Sequence, residues 1–342
     1  MDFRLNKEQK DIRRAAREFA LGEFPDRAQE FDREETFDLD IWRKACDLGF
    51  IGVFIDEEYG GAGYGYFEHS LISEEFWTVD PGIGQSLTSA SFGSEILLLY
   101  GTEEQKQLVL PQIVEGKAMI ATTNGNLAKY VVLFALTNPE QPSRHDRHSF
   151  ILVPTDSAGY ESNKLRGKLG IRASDTAELS FSDLRVPLAN LIGEEGEGFK
   201  ELMAFFNRTR LHVCAQGVGV ARAALEEGVK YAKERHQFGV PLASFQTIQF
   251  KLAEMATRVR AARNLYYEAA WLVDQGTIDH SLISMAKWYA KCADEALQIH
   301  GGYGYLDEYK VQRLYRDAKI VEIYEGAKEI EKAIIAKSLL GQ

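Results

Sequence analysis

One stretch near the C-terminus constrains the fold more than any other: residues 299–327, reading IHGGYGYLDEYKVQRLYRDAKIVEIYEGA. Ahead of it, Ile283, Ala286, Ala290, Ala293 and Leu297 recur at helical spacing, which predicts a long amphipathic helix. Gly301 and Gly302 stop that helix, because glycine accepts positive φ and lets bare backbone approach a ligand. A second helical run passes through Val311, Leu314, Tyr315 and Ala318. It leads to Tyr324-Glu325-Gly326, where a carboxylate sits beside a glycine among apolar and aromatic residues. Desolvation raises the pKa of such a carboxylate towards what a general base needs near neutral pH. On spacing alone, a helix–loop–helix turn with an ordinary solvated glutamate accounts for the same residues.

A chain of 342 residues can bury a sizeable core in two or three packed units. Its 51 acidic against 40 basic residues give a net charge of −11, which argues against a general nucleic-acid or anionic-membrane surface. Cys46, Cys214 and Cys292 lie far apart, with no metal-type or CxxC spacing, and read as buried thiols of a reducing compartment. The first residues form a charged amphipathic pattern without a signal peptide's apolar core, and no apolar run is long enough to span a bilayer. The expectation is a cytoplasmic protein with no metal.

The expected fold class is α+β, mostly α, in three parts: residues 1–117 an N-terminal helical domain, 118–192 a small middle antiparallel β-domain, and 193–342 a C-terminal four-helix bundle. In the first part Asn6, Asp38 and Thr102 stand where helix N-caps belong, and Thr102 with Gln105 forms a capping box. In the second, Val131 to Leu136, Phe150 to Val153 and Ala177 to Phe181 read as strands of one small sheet. The third opens a long helix at Arg208-Thr209-Arg210, whose Ala215, Val218, Ala221 and Ala224 permit close helix packing. That helix is expected to end with Gly239 as its C-cap, ahead of Pro241.

Several of these stretches together resemble the acyl-CoA dehydrogenases, flavoenzymes that desaturate acyl-CoA thioesters between Cα and Cβ. The resemblance is carried by Gln298-Ile299-His300-Gly301-Gly302-Tyr303-Gly304-Tyr305, by Arg313-Leu314-Tyr315-Arg316-Asp317-Ala318-Lys319 and by Ile323-Tyr324-Glu325-Gly326. Upstream, Tyr59-Gly60-Gly61, Gly101-Thr102-Glu103-Glu104-Gln105-Lys106, Gly170-Ile171-Arg172 with Ser174-Asp175-Thr176-Ala177-Glu178-Leu179, and Arg235 with Gln237-Phe238-Gly239 follow the family's order.

This resemblance implies FAD as hydride acceptor, acyl-CoA as substrate, an electron-transfer flavoprotein as electron acceptor and a homotetramer. It places Glu325 at the family's catalytic base. Thr123 matches a flavin-contacting threonine. Arg235, Gln237, Phe238, Gln298, Gly301 and Gly302 match residues that hold the FAD of a neighbouring subunit. Arg210 and Gly326 match residues near the thioester, and the acyl chain is expected beside Thr88 to Phe92, with Ser89 and Ser91 as substrate contacts. Small polar residues there favour a short, cyclic or functionalised acyl group; they equally describe an ordinary helix–helix contact.

The chain departs from the family at one place. Between Ala121 and Thr122 the family has a few tens of residues, part of the middle β-domain, that pack on the flavin. A non-catalytic or deletion variant of the same fold, with weak FAD binding, is therefore the second expectation. Two other classes fail on residues. A ferritin-like di-iron bundle needs Glu-x-x-His, and no histidine here has a glutamate three residues before it. A nicotinamide site needs a strand ahead of GxGxxG, and Gly217-x-Gly219 falls within a helical run.

Overall fold

The computed structural model describes residues 5–120, 123–289 and 292–341, and of these the side chains of all but 288–289. Seven helices come first: α1 (Lys7–Glu23), α2 (Pro25–Glu34), α3 (Leu39–Asp47), α4 (Tyr66–Val79), α5 (Pro81–Thr88), α6 (Ser94–Tyr100) and α7 (Glu103–Val114). Their starts follow from local chemistry. Asn6, Asp38, Asp80 and Thr102 each accept a backbone N–H of the first turn, at 2.7, 2.8, 2.9 and 3.3 Å. Caps of this kind stabilise a helix by about 1 kcal/mol.

Strands follow: β1 (Tyr130–Leu136), β2 (His148–Pro154), β3 (Tyr160–Lys164), β4 (Ala177–Phe181) and β5 (Leu191–Ile192). They do not form the single sheet expected from sequence. β1, β2 and β5 make one antiparallel sheet, with Leu136 opposite His148 and Phe150 opposite Ile192, while β3 and β4 pair apart as a ribbon. β3 escapes a sequence reading because YESNK is polar throughout and shows no apolar alternation.

The remaining helices are α8 (Gly198–Glu234), α9 (Gln246–Asp274), α10 (His280–Tyr289), α11 (Ala293–His300), α12 (Lys310–Ala318) and α13 (Lys328–Leu340). α8 starts ten residues ahead of the expected Arg208. The single helix expected before Gly301 is described as α10 and α11, and Ala290 of its apolar pattern lies outside the described residues. Gly239 is not a helix C-cap. α8 stops at Glu234, and Phe238-Gly239, both at positive φ (52° and 83°), turn a tight hairpin between β6 (His236–Gln237) and β7 (Val240–Pro241).

α4 is buried from Phe67 almost without break to Val79, although it carries His69, Ser70, Ser73, Glu74, Glu75 and Thr78 in that stretch. It packs on α8 at Gly219, where a Cβ would stand 2.7 Å from Glu74 O and Trp77 Cβ. Glu74 is buried in the same contact and accepts from Arg263 at 2.6 Å and from the Tyr266 hydroxyl, while Arg222 serves Glu75 at 2.7 Å. This ion cluster ties α4, α8 and α9 together. Among the described residues no helix is long and apolar enough to cross a membrane.

Candidate active site

The backbone turn after α12 is held in an unusual conformation. Glu325 has φ 52° and Gly326 φ 107°, so a non-glycine residue sits in the left-handed region beside a glycine that needs it. Strain of this size, about 1–3 kcal/mol, persists only where surrounding contacts impose it. Two cations do so, Lys287 buried and Arg210 partly so. Lys287 on α10 donates to the carbonyl oxygens of Tyr324, at 2.6 Å, and of Gly326. Arg210 on α8 donates from Nε to the carbonyl oxygen of Glu325 at 2.9 Å.

Glu331 on α13, 1% exposed, lies 3.7 Å from Arg210 and 3.8 Å from Lys287 and balances their charge. A Cβ on Gly326 would collide with this carboxylate, which is why the turn requires glycine there. In a trans peptide C=O and N–H point in opposite directions. Drawing the Tyr324 carbonyl to Lys287 therefore turns the Glu325 N–H to the other side, where it has no acceptor among the described residues.

The Glu325 carboxyl is partly exposed, and Thr209, one residue before Arg210, donates to its Oε2 at 2.7 Å. Burial pushes its pKa up to about 7, against smaller opposing effects of the Thr209 hydrogen bond, Arg210 and Lys287. At neutral pH it is thus about half ionised and able to accept a proton. Alongside it the Tyr324 hydroxyl donates to Gln216 Oε1, and Gln216 Nε2 reaches Gln85 Oε1 at 2.9 Å and His212 Nε2 at 2.7 Å. His212 stacks on His69 at 4.7 Å, and burial lowers both imidazole pKa values, so the pair stays neutral.

The structure brings Glu325, Gly326 and Arg210 together, but Arg210 meets backbone and Glu331 and makes no contact that singles it out for a substrate. Ser89 lies on the same polar network: its hydroxyl donates to Gln85 O at 2.6 Å and accepts from Asn124 at 3.2 Å. Ser91 is buried two residues on. Thr123 bridges to Thr176, and the turn after it is pinned by Asp175, whose carboxylate takes the Asn126 N–H at 3.0 Å. Ala121 and Thr122, where the family's extra residues were expected, lie outside the described residues. Sequence reading missed Thr209, Lys287, Gln216 and Glu331. They come from α8, α10 and α13, and none carries a local signal.

A second cleft, about 520 Å³, is lined by Tyr231, Arg235, Gln237, His300, Gly301 and Gly302 among others. Arg235 lies 5.0 Å over the Tyr303 ring, and Tyr231 stacks on His300 at 4.1 Å. Gln298 is exposed on the last turn of α11. Phe238 projects beside the cleft at the hairpin tip, 93% exposed in spite of its positive φ. Gly302 has ordinary φ and open space where a Cβ would stand, so nothing in this chain's own packing calls for a glycine. An arginine, exposed amides, an aromatic face and bare backbone fit a dinucleotide and its pyrophosphate. Along α8, Thr209 and its C-cap Arg235 are 26 residues apart, about 39 Å at 1.5 Å per residue, so cleft and turn are separated by most of the length of that helix.

Residues 6–117 match the family described as "Acyl-CoA dehydrogenase, N-terminal domain", and residues 196–340 match "Acyl-CoA dehydrogenase, C-terminal domain". The acryloyl-CoA reductase (NADH) of Anaerotignum propionicum is 37% identical over 381 positions, covering 99% of this chain and 96% of that protein. Those positions exceed the 342 residues here by 39, so that relative has internal residues without counterparts in this chain. Among solved structures, butyryl-CoA dehydrogenase from Megasphaera elsdenii superposes with a TM-score of 0.94 at 33% identity, covering 99% of this chain and 100% of that one. A chain from work on the electron transferring flavoprotein of Acidaminococcus fermentans and flavin-based electron bifurcation superposes at 0.95, with 35% identity and full coverage of both.

Proposed function

The chain belongs to the acyl-CoA dehydrogenase family of oxidoreductases, and on that premise we propose that it desaturates an acyl-CoA thioester between Cα and Cβ with Glu325 as the α-proton base. The observation that carries this reading is the 324–326 turn: a carboxyl with pKa about 7 on a backbone whose three carbonyls are held by Lys287 and Arg210. The α-proton of a thioester is weakly acidic. Its removal needs a base near the ambient pH and donors at the carbonyl oxygen, where negative charge develops. Glu325 could supply both: its carboxyl accepts the proton, and its N–H, without an acceptor among the described residues, is free to donate to the thioester oxygen. Thr209 fixes which carboxyl oxygen is used for support and leaves Oε1 for the proton.

FAD, when bound, supplies the hydride acceptor that no side chain can provide. Thr123 would meet the flavin end of this chain's own FAD, while Arg235, Gln237, Phe238, Gln298, Gly301 and Gly302 would hold the FAD of a neighbouring copy at the cleft. Because about 39 Å of α8 separates Thr209 from Arg235, that cleft serves the cofactor of a second copy, which supports a homotetramer. An electron-transfer flavoprotein as electron acceptor and a cytoplasmic location complete the proposal. Oxidation of short acyl-CoA thioesters with an artificial acceptor tests it, together with loss of that activity in Glu325→Gln.

The 39 uncompensated positions favour a second reading, a deletion variant that keeps the fold but holds FAD weakly. Flavin content of the purified protein separates the two. Stoichiometric bound FAD at an intact mass near 38.5 kDa contradicts the deletion reading.

A further inference from the structure

Two consecutive side chains of the catalytic turn are held by one face of α8. Thr209 donates to the Glu325 carboxyl at 2.7 Å, and Gln216 Oε1 accepts the Tyr324 hydroxyl. Seven residues separate Thr209 from Gln216, two turns of helix, so both project from the same side of α8. Lys287 and Arg210 hold the carbonyls of the turn. The Tyr324 hydroxyl holds the side chain just ahead of the base, and Gln216 is its one hydrogen-bond partner among the described residues.

Gln216 is built as a fixed anchor. It is 0% exposed, and its Nε2 reaches Gln85 Oε1 on α5 at 2.9 Å and His212 Nε2 at 2.7 Å. Turning the amide over would set its oxygen against the Gln85 oxygen, so Oε1 is left for Tyr324. With both amide hydrogens spent, His212 accepts at Nε2 and carries its own hydrogen on Nδ1, in keeping with the neutral form that burial favours. The amide is thus pinned from α5 and from within α8, and the tyrosine is pinned by the amide. Without that acceptor the hydroxyl has nothing to hold it on α8, and a hydrogen bond left unmade there is costly.

We propose that Gln216 is a positioning residue: by holding the Tyr324 hydroxyl on α8 it keeps the Glu325 carboxyl against Thr209, in the place from which it takes the α-proton. The proposal rests on the reading of Glu325 as the base and deepens it. Gln216 touches no reacting atom and acts only through Tyr324.

Gln216→Leu, Tyr324→Phe and the double variant form a cycle that tests this. Exchange of the α-hydrogen of butyryl-CoA in deuterated buffer reads the proton step, and calorimetry reads binding of the same thioester. Each single variant should exchange about tenfold more slowly, with the dissociation constant within about twofold of wild type. The double variant should be no slower than the slower single one, because both changes remove the same contact. Gln216→Glu keeps an acceptor for the hydroxyl and should retain most of the rate. Gln216→Met replaces the leucine variant if its melting curve shows that it does not fold. A wild-type rate in the apolar variant, or losses that multiply in the double variant, overturns the proposal. Carbon-13 NMR of glutamate-labelled protein adds a readout that needs no chemistry, with the Glu325 carboxyl assigned by its absence in Glu325→Gln. In Gln216→Leu that carboxyl should titrate at higher pH, since it loses the Thr209 hydrogen bond, and an unmoved titration also overturns the proposal. Absence of exchange in the wild-type protein would defeat the reading of Glu325 as base alone, since the titration still decides the role of Gln216.

Discussion

Arg210 donates to the backbone carbonyl of Glu325, at 2.9 Å, and not to its carboxylate. An arginine forked onto the carboxylate would lower the pKa and spoil it as a base. Bound to the carbonyl, it fixes the turn while burial still keeps the carboxyl near 7. Lys287 does the same for the carbonyls on either side. These two cations shape the site without titrating it out of range.

Lys287→Met tests that division. It removes the donor from two carbonyls and one of the two cations beside Glu331, and each carbonyl left without a partner costs about 1–3 kcal/mol. Thermal denaturation should show the loss. With it, kcat should fall, because the turn is no longer pinned.

Thr209→Val removes the hydrogen bond that favours the ionised form of Glu325. A hydrogen bond to a charged group contributes about 1.5 kcal/mol or more, so the pKa should rise by about one unit. The acidic limb of the kcat/KM profile should move upward in pH by that amount. An unmoved limb would assign it to another group.

Glu325 also makes stability depend on pH. Its folded pKa, about 7, lies above the ordinary 4.5, so the folded state holds the proton more tightly. The charged form is therefore destabilising: no penalty below pH 4.5, a growing one from 4.5 to 7, and the full amount above 7. Discounted for partial exposure, it amounts to about 1–2 kcal/mol. Glu325→Gln should match wild type in denaturant titrations at pH 4.5 and exceed it by that amount at pH 8. Equal stability at both values would show that the carboxyl is not desolvated.

Arg235→Ala should lower flavin retention with little effect on the fold. Its guanidinium packs over Tyr303 at the cleft, a contact contributing about 0.5–1 kcal/mol at an exposed site. Flavin absorbance of the purified variant and its melting temperature separate the two roles. A large loss of stability with flavin unchanged would make Arg235 structural.

Legibility in the sequence followed how local each feature is. Helix caps at Asn6, Asp38 and Thr102 could be read because a cap is settled within four residues. The Glu325-Gly326 turn and the glycines of the cleft showed as motifs, since backbone conformation there depends on residue type. Thr209, Lys287 and Glu331 carry no such mark. They lie on α8, α10 and α13 and acquire a role only when tertiary packing brings them under one turn. Gly239 misled for the opposite reason: positive φ suits a helix C-cap and a hairpin turn alike, and only the pairing of β6 with β7 decides.

The central claim is that Glu325 removes the α-proton. Exchange of α-hydrogen for deuterium in butyryl-CoA, followed by NMR in deuterated buffer, reads that step without any electron acceptor. The wild-type protein should catalyse the exchange. Glu325→Gln should bind the thioester with similar affinity and exchange it at least about a hundredfold more slowly. Exchange at the wild-type rate in the glutamine variant would contradict the assignment.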